Sequence, residues 1–286
     1  MASLRDIRRR IASVKSTQKI TRAMKMVATA KLRRAQEAIL RTRPYTAHMR
    51  QLAHNLIRRA EPGHPLLAAG DPSAKASIIV ITADRGLCGA FNASIVNEFM
   101  NLLNTQFAGR ELEVTVAGRK GIDALRRRGV DAAHAYANIS EALPARIARE
   151  MSGRFTHDFQ AGEVGEVYCL YNEFRSAISQ HVRLERILPF EAPAEDEEGA
   201  PAVDYLYEPS EAAVLDRLLT TYLRVQMQRI LQESIASEHG ARMTAMDAAT
   251  NNAGDVIDRL TLYYNRLRQD VITKEVIEVV SGAEGM

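Results

Sequence analysis

The chain has 286 residues, a formal net charge of +3 and no tryptophan, which is enough for one large domain or two small ones. Its longest apolar run, at residues 78–81 and their neighbours, is far shorter than the ~20 residues that cross a bilayer, and no signal peptide is visible. Cys88 and Cys169 belong to no metal or redox motif, which favours two buried, inert thiols in a reducing compartment.

Residues 1–60 form the first predicted unit, a long and strongly basic helix. They contain 16 lysines and arginines and two acidic residues, a balance of +14 that leaves −11 for the rest of the chain. So uneven a distribution favours an acidic partner: nucleic acid, an anionic membrane or acidic protein loops. The opening MASLRDIRRR can mimic an organellar transit peptide, but the helical pattern continues through it without a cleavage-like site. We therefore interpret it as mature protein.

The apolar pattern of this helix is typical of a coiled coil with one interruption. The first apolar residues, from Leu4 to Val14, follow the three- and four-residue spacing of a seam. Continued strictly, that spacing reaches the polar residues Gln18, Thr21 and Lys25. We therefore predict that the seam shifts, with local unwinding, to a second stripe. The residues of this stripe are Ile20, Met24 and Val27.

Residues 75–190 form the second predicted unit, in which strands alternate with helices. The predicted strands are residues 78–81, 112–117, 130–136, 164–171 and 176–188, the last being an edge strand. The predicted helices are residues 94–107 and 121–128 and a third that begins at Ser140. This alternation implies a mostly parallel, Rossmann-like α/β sheet.

Residues 205–286 form the third predicted unit, which is dominated by a helix over 209–280. Its apolar residues, Val256 and Tyr263 among them, recur at helical spacing. A helix of about 70 residues is roughly 105 Å long, whereas a globule of this chain length has a radius of gyration of about 19 Å. The helix must therefore project from the domain, and we predict that it pairs with the first helix as a long antiparallel coiled coil.

The last turns of this helix are apolar around about two-thirds of their circumference. The residues concerned are Val271, Ile272, Val276, Ile277, Val279 and Val280. Burial in the protein's own core is one explanation of so wide a surface. The projection of the helix favours another, a tip that is surrounded by a collar of other subunits.

The sequence contains no convincing active site. The first strand-to-helix turn is TADRGLCGAF rather than G-x-G-x-x-G, and no P-loop is present. The seven histidines form neither a metal site nor a catalytic triad, so we predict no cofactor and no metal. An enzyme that uses the central sheet is one alternative. A basic coiled-coil protein that binds nucleic acid is another, although residues 1–44 offer no aromatic side chain for base stacking.

Five segments carry a family resemblance that spans nearly the whole chain. They are IASVKSTQKITRAMKMVATAKLRRAQ at 11–36, TADRGLCG at 82–89, DYLYEP at 204–209, SEHGARMTAMDAATNNAGD at 237–255 and ITKEVIEVVSGA at 272–283. In these segments the sequence resembles the γ subunits of F-type ATP synthases, of the bacterial type.

The resemblance implies a rotor in the central stalk. The two terminal helices would lie inside a ring of three α and three β subunits, and proton flow through a membrane c-ring would turn them. The turning shaft would force the three catalytic β sites through different conformations, while this chain would be non-catalytic. The implied partners are the α, β and ε subunits and the c-ring, without nucleic acid and without direct bilayer insertion. The implied location is peripheral, on the cytoplasmic face of the bacterial cell membrane.

The resemblance also implies roles for individual residues. Basic side chains that would meet acidic loops of the β subunits are Lys19, Arg22, Lys25, Lys31, Arg33 and Arg34. Positions that would couple rotation to catalysis are Met24, Arg242, Gln269, Thr273 and Glu275. Tyr205, Tyr207 and Glu208 would form a foot near ε and the c-ring, and residues 271–280 would fill a hydrophobic sleeve. Because the paired-cysteine insertion of the chloroplast type is absent, we expect no thiol switch.

Overall fold

The two longest helices of the molecule are its first and its last. The computed structural model describes residues 3–59, 64–68, 70–71, 73–139, 144–190, 207–208 and 210–284. Helix α1 is Leu4–Arg59 and continues through Pro44, and the last helix, α5, is Glu211–Glu284. With 74 residues, α5 is about 110 Å long. The predicted projecting helix is confirmed.

The seam of α1 keeps one register throughout. A series of alternating three- and four-residue steps from Leu4 to Leu56 contains only buried or half-buried residues. The predicted shift to a second stripe is wrong, because Ile20 and Val27 are 57% and 58% exposed whereas Thr21 is buried. An unbroken seven-residue repeat is the pattern of a left-handed supercoil.

Polar contacts with α5 explain why the seam tolerates hydrophilic residues. Thr250 donates its hydroxyl to the hydroxyl oxygen of Thr21 over 2.8 Å, and the Nε2 of Gln18 donates to the Thr250 carbonyl over 3.4 Å. Lys25 reaches Asp247 over 2.6 Å. A polar group in a seam is destabilising only when it lacks a partner, and matched pairs of this kind also fix the register of two helices.

The same seam shows which face of α5 meets α1. The predicted face included Val256 and Tyr263, but these side chains are 40% and 48% exposed. The neighbouring residues Ala253 and Ile257 are buried and half-buried instead. The sequence prediction was wrong here because both faces of α5 carry apolar residues, and only the position of α1 selects one.

Between the long helices the chain forms a five-stranded sheet. Its strands are β1 Lys75–Ile81, β2 Leu112–Ala117, β3 His134–Tyr136, β4 Val164–Phe174 and β5 Gln180–Leu188. Their order is β3-β2-β1-β4-β5, with β1 to β4 parallel and β5 antiparallel to β4 at the edge. The predicted Rossmann-like sheet is confirmed.

Three shorter helices cover the sheet: α2 Phe91–Asn104, α3 Arg119–Arg126 and α4 Pro144–Gln160. The predicted helix start at Ser140 lies outside the described residues. Strand β3 is shorter than the predicted 130–136, because Val130 already bonds back to the carbonyl of Leu125 after α3. Strand β5 begins later than predicted, because Ser176 closes a turn with Ser179.

Two apolar clusters lie on opposite faces of the sheet. One contains Phe91 and Phe99 of α2, and the other contains Met151 of α4 together with Leu219 and Met227 of α5. Helix α5 is therefore part of the core of the central unit near its start and part of a two-helix shaft further along. Among the described helices, none is apolar over a stretch long enough to cross a membrane.

Candidate rotor contacts

The C-terminal end of α5 extends past the beginning of α1. The contacts Thr42–Gln232 and Gln18–Thr250 set the antiparallel register. Extrapolated along both helices, this register places Leu4 opposite roughly residue 266 of α5. The segment from there to Glu284 is about 27 Å long. Among the described residues it has no neighbouring helix.

This unpaired segment contains the residues that are predicted to fill a hydrophobic sleeve. Its apolar side chains are between 39% and 72% exposed, and they are Val271, Ile272, Val276, Ile277, Val279 and Val280. The predicted coupling residues Gln269, Thr273 and Glu275 are exposed on the same segment. A contiguous apolar surface of this kind marks an interaction site, whereas single exposed apolar residues do not.

The predicted basic contacts of α1 divide into two groups. Five of them are exposed: Lys19, Arg22, Lys31, Arg33 and Arg34. Lys25 instead turns toward α5, where it pairs with Asp247. Arg33 forms an i,i+4 pair with Glu37 at 3.1 Å and is 83% exposed, and an exposed pair of this type is worth only ~0–1 kcal/mol.

A groove runs between α1, α5 and the loop that follows β1. We call it the Met24 groove, and its volume is about 500 Å³. Its lining residues are Ile20, Ala23, Met24, Val27, Ala28, Lys31, Arg85, Gly86, Leu87, His239 and Arg242. The predicted residues Met24, Lys31 and Arg242 are thus brought together in one place. The apolar floor and cationic rim suit an acidic segment that also carries apolar side chains.

Arg242 joins α5 to residues 84–89, which we call the Leu87 loop. Its Nη1 donates to Glu238 over 2.7 Å, and its Nη2 donates to the carbonyl oxygens of Arg85 and Gly86, each over 3.3 Å. The Arg242 and Glu238 side chains are only 12% and 4% exposed. Charge-assisted bonds in so enclosed a position are stronger than surface ones. Arg242 therefore holds the loop against the shaft.

Leu87, Ile20 and Val27 line the groove, and sequence reasoning did not predict them as contact residues. Leu87 has a φ of 63° and is 64% exposed, an uncommon backbone conformation for a residue without a polar side chain. The sequence identifies TADRGLCG as a strand-to-helix turn but does not indicate which of its side chains is displayed. Which side chain the turn displays depends on backbone angles that composition does not encode.

His239 lies at the inner wall of the Met24 groove and is 6% exposed. Burial, followed by the positive charges of Arg242 and Lys31, lowers its pKa to about 4. The imidazole is therefore neutral at pH 7, which fits a packing role on the helix rather than proton transfer.

The pKa of His239 predicts how stability depends on pH. In the folded state His239 is neutral at pH 7, whereas in the unfolded chain its pKa is near 6.5. As the pH falls, the unfolded chain therefore gains a proton before the folded chain does. Stability should therefore fall as the pH drops from about 6.5 to 4, by about 2 kcal/mol at pH 5 relative to pH 7. Urea unfolding of the native chain and of His239→Gln at pH 5 and pH 7 measures this loss of stability. The free energy of unfolding of His239→Gln should fall less on acidification than that of the native chain. Equal losses would contradict the lowered pKa of His239.

The predicted foot lies at the other end of the molecule. Tyr207 packs against the apolar cluster that includes α4 and the start of α5, and Glu208 is exposed. Tyr205 lies outside the described residues. The foot and the tip are thus separated by nearly the full length of α5.

The crevice at the carboxyl ends of the strands, where doubly wound sheets bind ligands, is filled by the chain itself. Ser237 of α5 donates its hydroxyl to the carbonyl of Asn172 at the end of β4 over 3.0 Å, and both residues are buried. Thr244 approaches the Ala177 carbonyl over 3.3 Å. The sheet therefore holds the shaft at the place where related architectures hold a ligand.

Comparison with known proteins identifies the family. The family model described as ATP synthase matches residues 3–286. A protein of Pelotomaculum thermopropionicum, named ATP synthase gamma chain, is 46% identical over 287 residues, with all of both chains covered. A protein of the same name from an Anaeromyxobacter species is 47% identical over 294 residues, again with full coverage of both.

Solved structures share the fold. A chain in the mitochondrial ATP synthase of Euglena gracilis, in its OSCP/F1/c-ring assembly, gives a TM-score of 0.71 at 20% identity, with 99% of this chain and 94% of that chain covered. A chain of the rotor of the same enzyme gives 0.68 at 21% identity, with 94% and 98% covered. On the strength of the family model and the full-length relatives, this chain belongs to the ATP synthase gamma chain family.

Proposed function

We propose that this chain is the central-stalk rotor of a bacterial F-type ATP synthase and that it couples rotation of a proton-driven c-ring to conformational change in the catalytic β subunits. The observation that carries the proposal is the unpaired end of α5, whose apolar side chains lie past the start of α1. Such a surface requires a surrounding partner. Apolar contact is non-directional, so it can hold a tip inside a ring without fixing one orientation.

The contacts along the shaft follow from charge. We propose that Lys19, Arg22, Lys31, Arg33 and Arg34 meet acidic loops of the β subunits and that one such loop enters the Met24 groove. Exposed ion pairs contribute ~0–1 kcal/mol each, which is weak enough to release as the shaft turns. Lys25 and Arg242 act differently in this proposal, because each already has an acidic partner within the chain.

The chain supplies no catalytic group in this proposal. The crevice of its sheet is occupied by α5, and ATP chemistry belongs to the ring. Tyr205, Tyr207 and Glu208 would contact ε and the c-ring, which places the protein peripherally on the cytoplasmic face of the bacterial membrane. The division into 1–60, 75–190 and 205–286 then has a purpose: two helices form the shaft, and the sheet unit braces its base.

The composition of the purified complex tests the proposal. Affinity purification of the tagged chain from its own cells should recover two P-loop subunits, each in three copies per copy of this chain, together with a smaller ε subunit and c-ring subunits. Recovery of the chain alone, or ATP hydrolysis by the isolated chain, would overturn it. The nucleic-acid alternative receives no support from the relatives. It predicts salt-dependent binding to random duplex DNA, which we do not expect.

A further inference from the structure

The loops that follow β1, β2 and β3 meet around one carboxylate, that of Asp84. Its Oδ1 accepts from the backbone N–H of Asn138 over 2.8 Å and from that of Arg119 over 3.2 Å. Asn138 has a φ of 60°, a conformation that asparagine adopts more readily than most residues, and it turns this N–H toward Asp84. The two donors belong to segments 35 and 54 residues away along the chain.

The surrounding bonds make this junction rigid. Ala83 donates its N–H to Asn92 of α2 over 2.9 Å, and its carbonyl accepts from Lys120 of α3 over 3.0 Å. The Arg119 guanidinium donates to the Asn138 side chain over 2.8 Å. In many doubly wound sheets a bound anion occupies the carboxyl ends of the strands. Here the carboxylate of Asp84 lies at the carboxyl ends of β1, β2 and β3 instead.

The Leu87 loop is thereby held at both ends and from the side. Asp84 anchors its beginning, Arg242 binds the carbonyls of its next two residues, and Cys88 at its end is buried and accepts from Asn92 over 3.2 Å. Leu87 is the residue that these anchors leave displayed, 64% exposed at the rim of the Met24 groove. The anchors thus hold a turn in which Leu87 has a positive φ and an exposed apolar side chain.

We propose that Asp84 is a positioning residue of the rotor, which fixes the Leu87 loop beside Met24 and so sets how tightly rotation is coupled to catalysis. This rests on the proposed rotor function. Asp84 does not touch the ring in this proposal; it acts through Leu87. These two backbone N–H groups donate to the same oxygen, Oδ1, so an asparagine at position 84 retains the acceptor that they need, while an alanine does not.

Two variants distinguish the role of Asp84 as a hydrogen-bond acceptor from the role of its negative charge. In Asp84→Ala, the amides of Asn138 and Arg119 should exchange with solvent about tenfold faster in hydrogen-exchange mass spectrometry, because each loses the acceptor of its hydrogen bond. Inverted membrane vesicles containing the complete complex should pump about half as many protons per ATP hydrolysed, or fewer. Asp84→Asn should restore both measurements to near the native level.

A third variant keeps the test informative if Asp84→Ala fails to assemble. Leu87→Gly removes the displayed side chain and relieves the positive φ, so the chain should fold at least as well, yet pumping per ATP should fall to a similar extent. Ile178→Gly is the matched control, since Ile178 is 82% exposed in the β4–β5 turn and should leave pumping unchanged. Normal pumping by Leu87→Gly, or by an Asp84→Ala complex with faster amide exchange, would overturn the inference. If the native chain is absent from the pumping complex, the proposed function fails instead.

Discussion

Replacing Arg229 by methionine should destabilise the fold by about 3–5 kcal/mol, because it removes the cation that contacts both carboxylates of a largely buried acidic cluster. Arg229 of α5 binds Glu185 of β5, contacts Glu233 over 3.2 Å and donates to Tyr171 over 3.3 Å. Its side chain is 24% exposed, and those of Glu185 and Glu233 are 16% and 17% exposed. Without the arginine, both carboxylates would remain in a poorly hydrated site.

The pKa directions describe the same dependence. Burial lowers the pKa of Arg229, but the charges of Glu185, Tyr171 and Glu233 outweigh this and raise it overall. Burial raises the pKa of Glu233, although Arg229 opposes the rise, and burial raises that of Tyr171. Glu233 therefore depends on the guanidinium for its charged form.

Urea unfolding of the purified chain measures this effect. The double variant Arg229→Met with Glu185→Gln should recover part of the loss, because one of the stranded charges is gone. Arg33→Met is the matched control, since the Arg33–Glu37 pair is exposed and should be worth less than about 1 kcal/mol. A loss below 1 kcal/mol for Arg229→Met would show that water already solvates the cluster.

The Arg229 cluster also illustrates what the sequence could not predict. The predicted limits of the helices are close to those of the structure, because periodicity and the positions of Pro and Gly determine them locally. Arg229 and Glu185 are 44 residues apart and were not noticed, since only the fold brings α5 against β5. The prediction that the seam of α1 shifts was wrong for the same reason, since it depends on a contact between distant parts of the chain. Thr21 suits a buried position because it pairs with Thr250, which is 229 residues away along the chain.

The candidate contacts were predicted unevenly for similar reasons. The tip could be predicted from the sequence, because a wide apolar surface at the end of an over-long helix depends on length and spacing alone. The Met24 groove could not, because it combines three separate segments. Lys25 shows the limit of charge counting: its charge was expected to face outward, and the structure pairs it with Asp247.

Deleting residues 271–286 should weaken assembly and coupled proton pumping by about tenfold or more while leaving the rest of the fold unchanged. The six apolar side chains of this segment are 39% to 72% exposed, so the chain has little of its own packing to lose. Burial in a collar is worth about 1 kcal/mol for each, less the loss of freedom on association. A net effect of only ~1.4 kcal/mol is already tenfold in an equilibrium constant.

Two measurements distinguish a collar from a mere extension of the helix. Ile277→Ser combined with Val279→Ser should reproduce much of the defect at full length, whereas Lys274→Ser, on the polar strip of the same turns, should not. Complexes that do assemble with the truncated chain should still hydrolyse ATP, because no catalytic group has been removed, but they should pump fewer protons per ATP. Native assembly and pumping by the truncated chain would mean that the exposed apolar tip needs no partner, and the reason for placing this helix inside a ring would be lost.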